Sequence, residues 1–138
     1  MLPKKLQEII DDFSILDTQE EKYEALIEFG QELGSFSDDL KTEKNMIAGC
    51  MSEVYIDVEV ENNVVHLKGW ASSVLVKGLI SILVIGLDGL SVDEVLSLTP
   101  EFIKETGITS SLTTSRANTP LNVLTTIQSR VKRQIKSN

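Results

Sequence analysis

A chain of 138 residues with 41% hydrophobic and 25% charged residues has the composition of one globular domain, long enough to bury roughly two thirds of its unfolded surface. Its net charge of -8, from 13 basic and 21 acidic residues, speaks against nucleic acid as a partner, because phosphate binding needs a clustered positive surface. One cysteine allows no disulfide within the chain, and the most apolar run, Val74 to Leu87, is interrupted by Lys77 and falls short of the roughly 18 residues of a membrane span.

Pro3 suits a first helical turn, and Leu6, Ile9, Ile10 and Phe13 then recur at helical spacing, which predicts a short amphipathic helix. Lys4 and Lys5 precede no apolar core of a secretory signal, so the expected setting is a reducing compartment, the cytoplasm by default, with an organelle stroma left open. Thr18 and Glu21 form a capping box, and Tyr23, Leu26, Ile27, Gly30 and Leu33 give one apolar stripe before Gly34, predicting a helix over about 19–33. Residues 35–47 are polar and without period, a loop that leads into Cys50.

From Val54 the period becomes two. Val54, Ile56, Val58 and Val60 alternate with Tyr55, Asp57, Glu59 and Glu61, and Asn62-Asn63 then supplies a two-residue turn that tolerates positive φ. The implied hairpin faces Glu61 with Val64. It sets Val60 by Val65 and Val58 by Leu67 on the core side, and Glu59 by His66, Asp57 by Lys68 and Tyr55 by Trp70 on the other. Ser72 or Ser73 caps a helix that is apolar on nearly all sides and reads as the central core helix, ended by Gly86 and Gly89. Ser91 with Glu94 makes another capping box, and Thr99-Pro100 opens a short helix ending near Gly107. After the polar stretch 109–118, Thr119-Pro120 starts a last helix with Leu121, Leu124, Ile127, Val131 and Ile135 as its apolar stripe. The order predicts an α+β domain without repeats, a small antiparallel sheet of two to three strands packed on helices.

Cys50 stands between the polar loop and the first strand, so it is expected at or near the surface. A lone cysteine is more often a small buried hydrophobe than a nucleophile. If the hairpin pairing continues outward, however, Cys50 faces Leu75 in the first turn of the central helix, with Lys77 nearby. A helix N-terminus and an ammonium group both favour thiolate, so the thiol is expected to ionise below the free-cysteine value. A cysteine hydrolase would need a histidine base. The only histidine, His66, lies nine ladder positions from Cys50, roughly 30 Å at 3.3 Å per residue. One cysteine and one histidine cannot close a tetrahedral metal site, and no phosphate-binding glycine loop is present.

Three segments carry a family resemblance. Asn45-Met46-Ile47-Ala48-Gly49-Cys50-Met51-Ser52-Glu53-Val54-Tyr55 resembles the N-x-I-x-G-C-x-S-x-V-W signature of the SufE/CsdE sulfur acceptors. Val76-Lys77-Gly78-Leu79-Ile80 resembles their VKGLI helix, and Leu112-Thr113-Thr114-Ser115-Arg116-Ala117-Asn118 their L-[ST]-x-S-R segment. Order and spacing agree from Glu21-Lys22-Tyr23 to the C-terminal helix. Tyr55 replaces the usual Trp, Thr119 the usual Gly, and Trp70-Ala71-Ser72-Ser73 lacks the common acidic residue. The resemblance implies the fold of iron–sulfur scaffold proteins of the SufE/IscU type and a persulfide on Cys50. It also implies a pyridoxal-phosphate (PLP) cysteine desulfurase of the SufS/CsdA kind as partner, the cofactor belonging to that partner and none to this chain. Delivery of the sulfur to Fe–S scaffold proteins follows from the same resemblance, and a homodimer is left open.

Supporting roles divide between function and structure. Lys77 is either a solvated cation or a functional one, since the helix dipole disfavours a cation so near a helix start. Arg116 is either a partner or persulfide contact or a solvated loop arginine. Asn45 and Ser52 are expected to shape the cysteine loop by local hydrogen bonds, and Gly49 to give the backbone freedom beside the thiol. Of the acidic residues, 16 lie at or before Glu61, whereas Arg116, Arg130, Lys132, Arg133 and Lys136 are the only charges after Glu105. The last four sit toward a helix C-terminus, where the dipole accounts for them. The rival reading is a non-catalytic binding module that docks on and activates a partner, with Cys50 incidental.

Overall fold

Among the described residues, helices α1 (Lys4–Ser14) and α2 (Gln19–Gly30) precede a hairpin of β1 (Val54–Glu61) and β2 (Val64–Ala71), and α3 (Val74–Leu87), α4 (Val92–Ser97), α5 (Glu101–Glu105) and α6 (Thr119–Ser137) follow it. The computed structural model describes residues 2–47, 52–108 and 118–137. The α+β class expected from the element order is the one observed.

The hairpin has the register implied by its sequence, from Val54 opposite Ala71 to Glu61 opposite Val64. Asn62 (φ 53°) and Asn63 (φ 66°) both occupy the left-handed region that a tight hairpin turn requires. Tyr55 and Trp70 meet across the ladder with ring centroids 6.0 Å apart. That face is not open at this end, because Phe36 lies 6.5 Å from the Tyr55 ring and Lys41 Nζ 3.9 Å from the Trp70 ring centroid. The stretch 35–47 is therefore more ordered than a plain loop. It contains a 3-10 turn at Asp38–Leu40, capped by Ser37, and ends in a bridge between Met46 and Tyr55 that adds a short third rung to the two-stranded sheet.

Helix α3 is buried on nearly all sides, as its composition predicts. One side packs on the sheet and on α6 through Val76, Ile80, Leu83, Val84 and Leu87, which share a core cluster with residues of α1, α4 and α5. The other meets α1 and α2 through Leu79 and Ile82, which join Ile9, Phe13, Leu26 and Ile108. The capping boxes at Thr18/Glu21 and Ser91/Glu94 both form, and Ser73 caps α3.

Two helix ends and one helix face differ from expectation. Helix α2 ends at Gly30 and its continuation to Leu33 tightens into a 3-10 turn before Gly34 (φ 77°), the usual way a helix end satisfies its last carbonyls. Gly86 does not end α3 but lies inside it, where a Cβ would come within 2.8 Å of Leu6 Cδ1. The helix stops at Asp88, whose carboxylate accepts from Leu67 N–H at 2.8 Å, and Gly89 (φ 86°) makes the turn. On α6 the buried stripe is Val123, Leu124, Ile127 and Val131, while Leu121 and Ile135 stay exposed. The helix enters the core one position out of the phase that Leu121 suggested, with Pro120 and Val123 filling its first turn.

Candidate functional site

The sheet end nearest α3 gathers three chain segments. Ile47 N–H donates to Val54 O at 2.9 Å, and Ile56 N–H to Asn45 O at 2.9 Å, which lays residues 45–47 along the outer edge of β1. Beyond the last ladder pair, Ser72 N–H donates to Glu53 O at 3.0 Å and Glu53 N–H to Ser72 Oγ at 3.1 Å. The hairpin thus continues outward by one further pair, and Ser73 then caps the start of α3. Lys77, half-buried in that helix, donates its backbone N–H to Ser73 O at 2.8 Å. Cys50 and Gly49 lie outside the described residues, as does Arg116, and so does the expected facing of Cys50 with Leu75 and Lys77. Ser52 is half-buried at the approach to β1.

Asn45 is 5% exposed. Its Nδ2 donates to Leu40 O at 2.9 Å and to Asp57 Oδ1 at 3.3 Å, tying the 3-10 turn and β1 to the start of the cysteine segment. Removing both donors strands a carbonyl and a carboxylate at a partly buried place, which costs about 1–3 kcal/mol. Asn45→Ala should therefore lower the urea midpoint by a corresponding amount. Asn45→Asp, which sets a second carboxylate against Asp57, should lower it further at neutral pH. Unchanged midpoints would remove the loop-shaping role.

Two residues of α6 act at this edge in a way that their sequence context did not suggest. Arg130 Nη1 donates to Ile56 O at 2.6 Å and Asn45 O at 3.4 Å, and its Nη2 to Met46 O at 3.1 Å. One turn later Gln134 accepts from Val60 N–H at 2.7 Å and donates to Val58 O. The helix-dipole account of the C-terminal bases is thus incomplete for Arg130. Burial lowers its guanidinium from the ordinary value, Arg133 adds to this and Asp57 opposes it, yet arginine stays cationic. The available signal was the i, i+4 spacing of Arg130 and Gln134 beside the apolar Ile127 and Val131.

Gly78, in the VKGLI-like segment, has a packing reason. A Cβ there would stand 2.2 Å from Leu26 O, and one on Gly30 would stand 2.9 Å from Gly78 N. The backbones of α2 and α3 touch at this glycine pair, which fixes the helix carrying Lys77. His66 pairs with Glu59 as expected, at the far end of the ladder from Glu53 and Ser72. Among the described residues no cluster of His, Cys, Asp and Glu could hold a metal, and no helix is long and apolar enough to cross a membrane.

Known proteins share both this fold and this sequence pattern. The solution structure of a hypothetical protein from Thermus thermophilus has a TM-score of 0.82 over 99% of both chains at 23% identity, a likeness of fold. An uncharacterised SufE-like protein of Synechocystis is 37% identical over 129 residues, 94% of this chain and 81% of its own length. The cysteine desulfuration protein SufE of Plasmodium falciparum is 35% identical over 133 residues, covering 92% of this chain, which spans 53% of that protein. The model of the SufE domain, described as Fe–S metabolism associated, matches residues 7–131. With a match over nearly its whole length, the chain belongs to the SufE family.

Proposed function

We propose that the protein is a sulfur acceptor: Cys50 takes the outer sulfur of a persulfide held by a PLP-dependent cysteine desulfurase, stimulates that enzyme, and hands the sulfur on to Fe–S cluster assembly. The observation that carries this reading is the order Asn45 to Tyr55 around Cys50 in a chain of the SufE family. The fixed ends of that segment support it, since Ile47 and Glu53 are both held at the sheet end where α3 begins. In the transfer the Cys50 thiolate attacks the outer sulfur of the enzyme persulfide, a new S–S bond forms, the old one breaks, and the desulfurase cysteine leaves as thiolate. The exchange is redox-neutral and needs no base, metal or cofactor from this chain. Only the thiolate attacks, so acceptance should rise with pH until the thiol is ionised. A reducing compartment, the cytoplasm or an organelle stroma, would keep the thiol free between rounds.

The test is alanine formation by a PLP-dependent cysteine desulfurase supplied with cysteine and no reductant. The reading requires the chain to accelerate turnover, and an unchanged rate would reject it. Recognition is assigned to Lys77 and Arg116. Lys77→Ala and Arg116→Ala should each weaken stimulation, by a few kcal/mol if the contact is desolvated on docking, whereas Lys132→Ala/Arg133→Ala should chiefly change salt dependence. Stimulation lost only in the double variant would move docking to α6.

A further inference from the structure

We infer that Arg130 is a positioning residue for sulfur transfer: its guanidinium holds residues 45–46, the stem of the cysteine segment, against β1, and acts on the reactivity of Cys50 through that stem. Asn45 and Met46, whose carbonyls accept from Arg130, are five and four residues before Cys50. The third accepting carbonyl, Ile56 O, belongs to β1. One rigid fork therefore joins the stem to the strand and to α6. An ammonium group cannot reproduce this, because lysine offers a point charge on a flexible chain in place of donors set in a plane. The edge of β1 is shared out along its length: the stem's backbone pairs with Val54 and Ile56, Arg130 takes Ile56 O, and Gln134 takes Val58 and Val60. Arg130 and Gln134 thus cap the same edge, but only Arg130 touches the stem among the contacts described for the two.

That difference separates positioning from general stabilisation. In Arg130→Lys the charge is kept, and the Ile47 amide, whose N–H bonds Val54 O, should exchange with deuterium about tenfold faster than in wild type. Gln134→Ala should leave that amide within about twofold while loosening Val60. The kinetic part rests on the proposed sulfur transfer. In single turnovers from a persulfidated desulfurase, Arg130→Lys should lower the limiting rate about tenfold with little change in the half-saturating concentration, since a misplaced nucleophile loses rate rather than binding. Gln134→Ala should retain the wild-type rate. Arg130→Gln serves the same comparison should the lysine variant not fold. Wild-type protection of Ile47 in the Arg130 variants, unchanged limiting rates, or an equal loss in Gln134→Ala would each overturn the assignment. A wild-type chain that accepts no sulfur defeats the transfer reading itself, and the exchange measurement, which needs no desulfurase, tells the two failures apart.

Discussion

Gly78→Ala is expected to destabilise the domain by about 3 kcal/mol, seen as a fall in Tm of roughly 10 °C. The sign is the informative part. In an open helix position the same change would stabilise, because alanine is the better helix former by about 1 kcal/mol. Here the added methyl meets backbone, with Leu26 O only 2.2 Å from its ideal place and Leu26 C at 2.6 Å. Neither atom can rotate away, so α2 and α3 must separate. Gly30→Ala strikes the same contact from the other side, at 2.9 Å from Gly78 N, and should cost less. The double variant should lose less than the sum, since the first methyl has already parted the helices. An unchanged or raised Tm for Gly78→Ala would mean that the helices do not touch there.

Cys50→Ser should reduce stimulation of a desulfurase to the level of the enzyme alone, with no loss of stability. A hydroxyl is far weaker than a thiolate as a nucleophile toward sulfur and stays protonated at neutral pH, so no sulfur can be carried. The reaction must be run without reductant, because an added thiol would strip sulfur from the desulfurase regardless of the acceptor. The binding-module reading makes the opposite forecast, full stimulation by the serine variant, since docking alone would be the activating event. The assay therefore divides the two readings cleanly.

The sequence was most legible where local chemistry and burial agree. The period-two run from Val54 and the Asn62-Asn63 turn specified the hairpin to the residue, because a one-residue slip would have turned every strand side chain to the wrong face. The capping boxes at Thr18 and Ser91 located helix starts for a similar reason. Gly86 misled because a glycine inside a helix and a glycine ending one look alike without the partner, here Leu6, that needs the space. Leu121 misled because an apolar residue one position off the stripe is indistinguishable until the helix is docked. At the candidate site Asn45 reads from the sequence as a local hydrogen-bonding residue, and its contacts reach back to Leu40 and across to Asp57. The sequence does not mark Arg130 as a clamp, since its acceptors are 74 to 85 residues away in sequence and no local pattern encodes them. Gly78 was visible only as part of a motif, and its packing role required the position of α2.

Sulfur acceptance as proposed requires that Cys50 itself carry the sulfur. Incubating the protein with a PLP-dependent cysteine desulfurase and cysteine, alkylating, and reading the intact and peptide masses tests this directly. The expected result is an added mass of one sulfur atom, located on the peptide that contains Cys50 and removed by reductant. An unmodified Cys50 peptide, recovered while the chain still accelerates the desulfurase, would contradict it.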